Sequence, residues 1–157
     1  QALQMLGDKS VAETDILSAI PYQANEVVLH TDKRLLPEKK RAWSIWNYHL
    51  TADALFSTGQ SHAVLTYTMN ILQGLQSAHP FCVTLNHTAA IEPAKILRQF
   101  SYSHPVFTLA GIEAQQRWHE INGTNHTWFC GAYWRNGFHE DGVNSALRGV
   151  QALGASA

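Results

Sequence analysis

One eight-residue stretch decides the fold class of this chain: it reads His62-Ala63-Val64-Leu65-Thr66-Tyr67-Thr68-Met69. Ala63, Leu65, Tyr67 and Met69 alternate with the other four residues, which is the period of a β-strand with two unequal faces. A second run rich in β-formers, Trp43 to Leu50, precedes it across the polar segment Thr51 to Ser61. The simplest interpretation is a hairpin with a long loop.

The flanking sequence alternates further strand and helix signals. Ser10 and Glu13 form a capping-box pattern at the start of one helix, and Asn122-Gly123 marks a turn. The predicted class is therefore α+β, with a mainly antiparallel or mixed sheet. The remaining predicted strands are Asn25 to Asp32, Phe81 to Asn86, Ile96 to Ser103 and Thr127 to Cys130. The predicted helices are Val11 to Ile20, Leu109 to Ile121 and Glu140 to Leu153.

Composition narrows the function. The 157 residues are 45% hydrophobic and carry a formal net charge of −1, so nucleic acid is not an expected partner. Cys82 and Cys130 have no C-x-x-C spacing, which argues against a disulfide framework and against a four-thiolate metal site and fits a cytoplasmic location. The nine histidines show no recognised ligand spacing, so no metal site is expected. Apolar runs are far shorter than the roughly 20 residues that span a bilayer.

The segment Trp128 to Ala146 carries the clearest chemical pattern. Its predicted strand leads into Gly131, a loop and a helix whose first turn is capped by Asp141 or Glu140. The free amides and positive dipole end of such a helix suit a flavin carbonyl or a pyrophosphate, and Gly142 allows a flat ring to approach closely. The alternative is an ordinary strand–loop–helix packed in a core.

The segment Trp128 to Leu147 resembles the C-terminal flavin-binding signature of flavin-containing amine oxidases and phytoene-desaturase-like enzymes. In that signature a strand ends in Phe-x-Gly, and a later Gly-rich turn starts the final helix beside the flavin. Nearly the whole chain looks like one subfamily, the predicted NAD/FAD-binding amine-oxidase-like proteins, whose relatives are often associated with cyclopropane fatty acid synthases. The further matching stretches are Asn25 to Asp32 with Leu36-Pro37, Ala42 to Tyr48, Thr66 to Gln73, Phe100 to Phe107 and Gly137 to Gly142.

The resemblance implies the C-terminal portion of an FAD-dependent oxidoreductase. Residues 1–123 would form a substrate-side α+β region, and residues 124–157 a strand–loop–helix that completes the FAD-binding domain. The Rossmann Gly-x-Gly-x-x-Gly fingerprint of the family is not in this sequence. The chain also opens like the middle of a helix, at Gln1 to Leu6, so the expected partner is a missing N-terminal Rossmann half. The chain alone is expected to bind FAD weakly and to be inactive.

The resemblance also assigns site residues. Gly131 and Ala132 would lie beside the isoalloxazine, while His139, Glu140, Asp141, Gly142 and Val143 would form the helix start that faces the flavin or its phosphates. Catalytic residues remain unknown. The substrate would be a small or lipid-like molecule, and the pocket candidates are Trp43, Trp46, Tyr48, Tyr67 and Met69, since such pockets are mostly apolar and aromatic. The alternative for each of these five is plain sheet core.

Two further functional hypotheses remain open, and one of them is a metal-dependent hydrolase built from the histidines. The chain could be an independently folded binding module for an apolar small ligand, without catalysis; that hypothesis requires a closed core with no large exposed apolar face. The last helix carries an apolar stripe of Val143, Ala146, Leu147, Val150 and Leu153. If its natural partner is missing, the stripe predicts a homodimer, a swapped helix, or a helix folded back on its own sheet.

Overall fold

A computed structural model describes residues 2–51 and 62–155. The chain forms two compact units: unit 1 contains Gln1–Gln23 and His104–Ala157, and unit 2 contains Ala24–Ser103. The domain boundary predicted at residue 123 refers to a full-length FAD-dependent oxidoreductase, and it stays a prediction. Most of the predicted loop from Thr51 to Ser61 lies outside the described residues.

The fold is α+β with an antiparallel sheet, and its strand order is β2-β3-β4-β1-β5. The strands are β1 (Tyr22–His30), β2 (Trp46–Tyr48), β3 (Leu65–Thr68), β4 (Cys82–Leu85) and β5 (Ile96–Pro105). The helices are α1 (Ala2–Met5), α2 (Val11–Ser18), α3 (Met69–Gln73), α4 (Leu109–Gln116), α5 (Trp118–Ile121) and α6 (His139–Ala155). None of these described helices has the length and apolarity that a membrane crossing requires.

The predicted hairpin is confirmed. Trp46 pairs with Tyr67 and Tyr48 with Leu65 across an antiparallel ladder. Both strands are shorter than predicted, and the placement of Met69 in the second strand is wrong, because Met69 begins α3. After β3, the Asn70 side chain accepts a hydrogen bond from the Phe81 N–H, and Gly74 closes the short helix in a left-handed conformation.

The core of unit 1 gathers around α2. Its capping box is confirmed: the Ser10 hydroxyl accepts from the Glu13 N–H at 3.1 Å, and Glu13 accepts from the Ser10 N–H at 2.7 Å. The apolar face of α2 then packs against the segment from α4 to the loop that precedes α6. The buried cluster is Ile16, Leu17, Ile20, Ala114, Trp118, Ile121, Phe129 and Trp134.

The predicted helix Leu109 to Ile121 is broken into α4 and α5. The break is at Arg117, whose φ of −90° and ψ of 13° are not helical. Its guanidinium lies 2.7 Å from the Asp15 carboxylate and 2.8 Å from the Glu120 carboxylate. After this break Trp118 and Ile121 are both buried. Periodicity alone does not reveal such a break, because both halves keep a helical pattern.

The predicted strand Thr127 to Cys130 is wrong, because this segment is irregular. Its backbone groups bond to side chains and to a turn. The Phe129 N–H donates to the Asn122 side chain at 2.6 Å, and the Phe129 carbonyl accepts from the Trp118 indole at 3.0 Å. The Thr127 carbonyl accepts from the Gly123 N–H. These bonds satisfy the groups that a neighbouring strand would otherwise bond.

Candidate functional site

The loop before α6 has a fixed, glycine-dependent shape. Gly131 has φ of +155°, and a Cβ added there would lie 2.4 Å from the Tyr133 ring. Residues Ala132–Trp134 form a 3₁₀ turn, and Gly137, at φ of +90°, donates its N–H to the Ala132 carbonyl. The loop therefore returns on itself immediately before the helix begins.

Two side chains from elsewhere hold this loop. The Gln115 amide of α4 donates to the carbonyls of Tyr133 and Arg135, both at 2.9 Å. The Ser145 hydroxyl of α6 accepts from the Gly131 N–H at 3.1 Å. The sequence pattern did not single out Gln115 or Ser145, because their partners are set by tertiary packing.

The first turn of α6 is capped by Asp141, one of the two residues predicted for this role. Its carboxylate accepts from the Phe138 N–H at 3.0 Å, and the Gly142 N–H donates to the Phe138 carbonyl at 3.2 Å. Helix geometry leaves the N–H groups of His139, Glu140 and Asp141 without intrahelical acceptors. The end of the helix thus presents amide donors beside two carboxylates.

The structure brings part of the predicted flavin-facing set together. Gly131, Ala132 and Gly142 are half-buried, and a Cβ on Gly142 would lie 3.9 Å from that of Ala132. His139, Glu140 and Val143 are exposed, and Asp141 is buried. The loop and the helix start therefore form one local site in unit 1.

A cavity of about 400 Å³ lies beside this site. Asp141 is the one predicted residue in its wall. Arg148 lies 3.9 Å from the Trp118 ring, in cation–π geometry. The helical spacing of Asp141, Ser145 and Arg148 places them on one face of α6, but the spacing does not show that this face lines a cavity. The lining residues are Gln115, Gln116, Trp118, Trp134, Arg135, Asp141, Asn144, Ser145 and Arg148.

Two aromatic residues of the loop are strongly desolvated. Burial raises the pKa of Tyr133 to about 12, and Tyr22 adds to the rise while the Trp134 indole offsets part of it. The Trp134 N–H is itself buried, and its contact with the Tyr133 hydroxyl accounts for this offset.

No protein-family model matches this chain, and no curated protein matches it either.

The predicted substrate-pocket residues lie in unit 2, and only some of them meet. The rings of Trp46 and Tyr67 contact edge to face, with centroids 5.8 Å apart, and Tyr48 lies on the same face of the hairpin. Trp46 and Tyr48 are more than half exposed. Trp43 is separate: its indole donates to the Pro37 carbonyl at 2.7 Å, and Lys40 lies over its ring. Trp46, Tyr48 and Tyr67 therefore form a half-exposed aromatic face, and Trp46 and Tyr48 are not part of a sheet core.

Proposed function

We propose that this chain is the C-terminal portion of an FAD-dependent oxidoreductase of the amine-oxidase type. The observation that carries the proposal is the orientation of α6. Its small and polar side packs inward, through Asp141, Ser145 and Gly149. The fit is close, since a Cβ on Gly149 would lie 2.6 Å from the Cys130 sulfur.

The opposite side of α6 carries its large apolar residues. Val143, Leu147, Val150 and Leu153 are 50 to 66% exposed. Fully burying each such side chain is worth about 1.5 to 3 kcal/mol, so this stripe favours a second protein surface. In the proposed parent, the nucleotide-binding half covers it. The same stripe argues against an independent module with a closed apolar core.

The start of α6 fits one part of FAD better than another. Its free amides suit a group with hydrogen-bond acceptors. Glu140 and Asp141 lie in the same turn, and their charges repel a pyrophosphate. We therefore assign this turn to the neutral ring carbonyls of the flavin, with Gly131, Ala132 and Gly142 as the approach.

When bound, FAD would supply the redox chemistry, which is acceptance of a hydride from a carbon of the substrate's C–N or C–C bond as that bond is oxidised. The residues of this chain have other tasks. Gly142 leaves the start of α6 without a side chain at that position, Gly131 gives the loop a conformation that other residues rarely adopt, and Asp141 holds the helix start in place. The aromatic face of Trp46, Tyr48 and Tyr67 provides apolar contact area for a small or lipid-like substrate.

The test uses the complete natural polypeptide that carries this sequence, purified in the presence of FAD. We expect a yellow protein with flavin absorbance near one FAD per chain, whereas residues 1–157 alone stay colourless. Gly142→Val should lower the flavin content several-fold, because a branched side chain at the helix start obstructs the ring. Gly154→Ala is the matched control, since nothing lies within 4 Å of a Cβ there.

A complete polypeptide that stays colourless would overturn the proposal. So would a Gly142→Val protein that folds and keeps its full flavin content. If the colourless protein bound an apolar ligand through Trp46 and Tyr67, the binding-module hypothesis would replace the oxidoreductase.

A further inference from the structure

A line of polar side chains crosses the interior of unit 2. His30 on β1, Thr84 on β4 and Thr66 on β3 are all fully buried. His30 Nε2 lies 2.7 Å from the Thr84 hydroxyl, which lies 2.8 Å from the Thr66 hydroxyl. The Thr66 hydroxyl lies 2.8 Å from Nε2 of His49, which directly follows β2. Four side chains from four successive segments of the sheet are thus connected in sequence.

One backbone hydrogen bond determines which group is the donor and which is the acceptor at each step of this line. The Asp32 N–H donates to Nδ1 of His30 at 3.1 Å, so Nδ1 carries no proton and Nε2 must carry it. His30 therefore donates to Thr84. The Thr84 hydroxyl then donates to Thr66, and the Thr66 hydroxyl donates to His49 Nε2. His49 is thereby neutral, with its proton on Nδ1.

Protonation of His49 opposes this direction. A proton on Nε2 would have to be donated to Thr66, whose own hydroxyl would then turn towards Thr84. Thr84 already accepts from His30, so its hydroxyl proton would have no acceptor among the described contacts. A buried hydroxyl without an acceptor costs about 1 to 3 kcal/mol, which is comparable to the interactions that hold a short edge strand.

We propose that His30, Thr84, Thr66 and His49 form a pH-sensitive latch that holds the edge strand β2 on β3 while His49 is neutral and releases it when His49 is protonated. β2 is at the end of the sheet and has three residues. Side-chain bonds from Asn47 to the Thr66 carbonyl and the Thr68 hydroxyl supplement its ladder. The His49–Thr66 bond is the titratable member of this set.

The titratable and charged groups around the line favour the neutral form of His49. His87 has its ring 6.0 Å from that of His49, and burial followed by His87 lowers the pKa of His49. Arg34 lines the same cavity as His49, and its guanidinium is paired with Asp32. Burial lowers the pKa of His30, and Asp32 only partly offsets this. Glu92 and Lys95 complete the charged set around Asp32.

The first measurement needs no variant. Nitrogen-15 NMR of the histidine side chains should show His30 protonated on Nε2 and His49 on Nδ1 at neutral pH. As His49 titrates, amide exchange of Asn47 and His49, whose N–H groups face β3, should accelerate by about tenfold or more after correction for intrinsic pH dependence. The proposal would be overturned by a proton on Nε2 of His49 at neutral pH. It would also be overturned by amide exchange rates of β2 that do not change as His49 titrates.

The second measurement uses a variant in which the direction of these hydrogen bonds can reverse. His30→Gln places a side-chain carbonyl where Thr84 can donate to it, so the hydroxyls can turn when His49 is charged. We expect the pKa of His49 to rise and the acid-induced release of β2 to disappear. Thr66→Ser keeps the hydroxyl and should preserve both wild-type behaviours. A folded His30→Gln protein with an unchanged His49 titration contradicts the latch, and the wild-type measurements decide if that variant does not fold.

Discussion

Single residues set the shape of the loop before α6, and Gly131 is the clearest case. Its φ of +155° is a conformation that other residues rarely adopt, and the Tyr133 ring occupies the space of a Cβ. We predict that Gly131→Ala lowers the free energy of unfolding by about 2 to 4 kcal/mol, because both the backbone and the ring must shift. Urea denaturation measures this change.

Gly142→Ala is the matched control for this prediction. Gly142 has helical backbone angles, and a Cβ there meets nothing closer than 3.9 Å. Because alanine favours a helix by about 1 kcal/mol over glycine, this variant should be neutral or more stable. Equal destabilisation by the two substitutions would show that the loop does not depend on the conformation of Gly131.

At the scale of elements, α6 leaves a whole stripe of large apolar side chains exposed. The stripe of Val143, Leu147, Val150 and Leu153 faces away from its own unit, so the folded-back arrangement is not the one observed. We predict that the isolated chain self-associates through this stripe. Leu147→Gln with Val150→Gln should weaken association by about 10- to 100-fold, since each substitution removes roughly 1 kcal/mol or more of apolar burial. Analytical ultracentrifugation over a concentration series measures it.

The control for this prediction is Gln151→Ala, which changes an exposed polar residue on the same helix. Association should persist in that variant. A wild-type chain that is strictly monomeric at high concentration, with α6 ordered, is incompatible with the prediction.

For the whole molecule, buried titratable groups predict stability that falls in acid in two stages. The pKa values of His30 and His49 are lowered by burial, so the unfolded chain takes up protons first, below its ordinary histidine pKa of about 6.5. The Arg34 guanidinium and the Glu92 N–H hold the pKa of Asp32 well below its usual range. The contribution of Asp32 to the free energy of unfolding is therefore fully present above about pH 4, and it is lost as the pH falls further.

Urea unfolding between pH 8 and pH 3 tests both stages. Asp32→Asn should cost roughly 2 kcal/mol at neutral pH, a modest amount for a buried carboxylate because Arg34 is itself exposed. The variant should also lose the lower stage and keep the upper one. Constant stability from pH 8 to pH 5 would contradict the assignment to His30 and His49.

Local patterns were sufficient for much of the fold. The capping box at Ser10 and Glu13, the two strands of the hairpin and the bounds of α6 within two residues all follow from hydrogen-bond geometry and periodicity over a few residues. The glycine positions of the loop before α6 belong to the same group, since their backbone angles are a local property.

Tertiary structure decided what depends on distant partners. Thr127 to Cys130 is rich in strand formers, yet its backbone bonds to Asn122 and Trp118 and forms no ladder. The amphipathic pattern of α6 showed two faces, but only packing against Cys130 and Gly131 determined that the small, polar one lies inside. The direction of the line from His30 to His49 needs contacts between residues 18 and 54 positions apart. Sequence periodicity determines which residues share a face, whereas the choice of the buried face and of its hydrogen-bond partners depends on the free energy of the assembled chain.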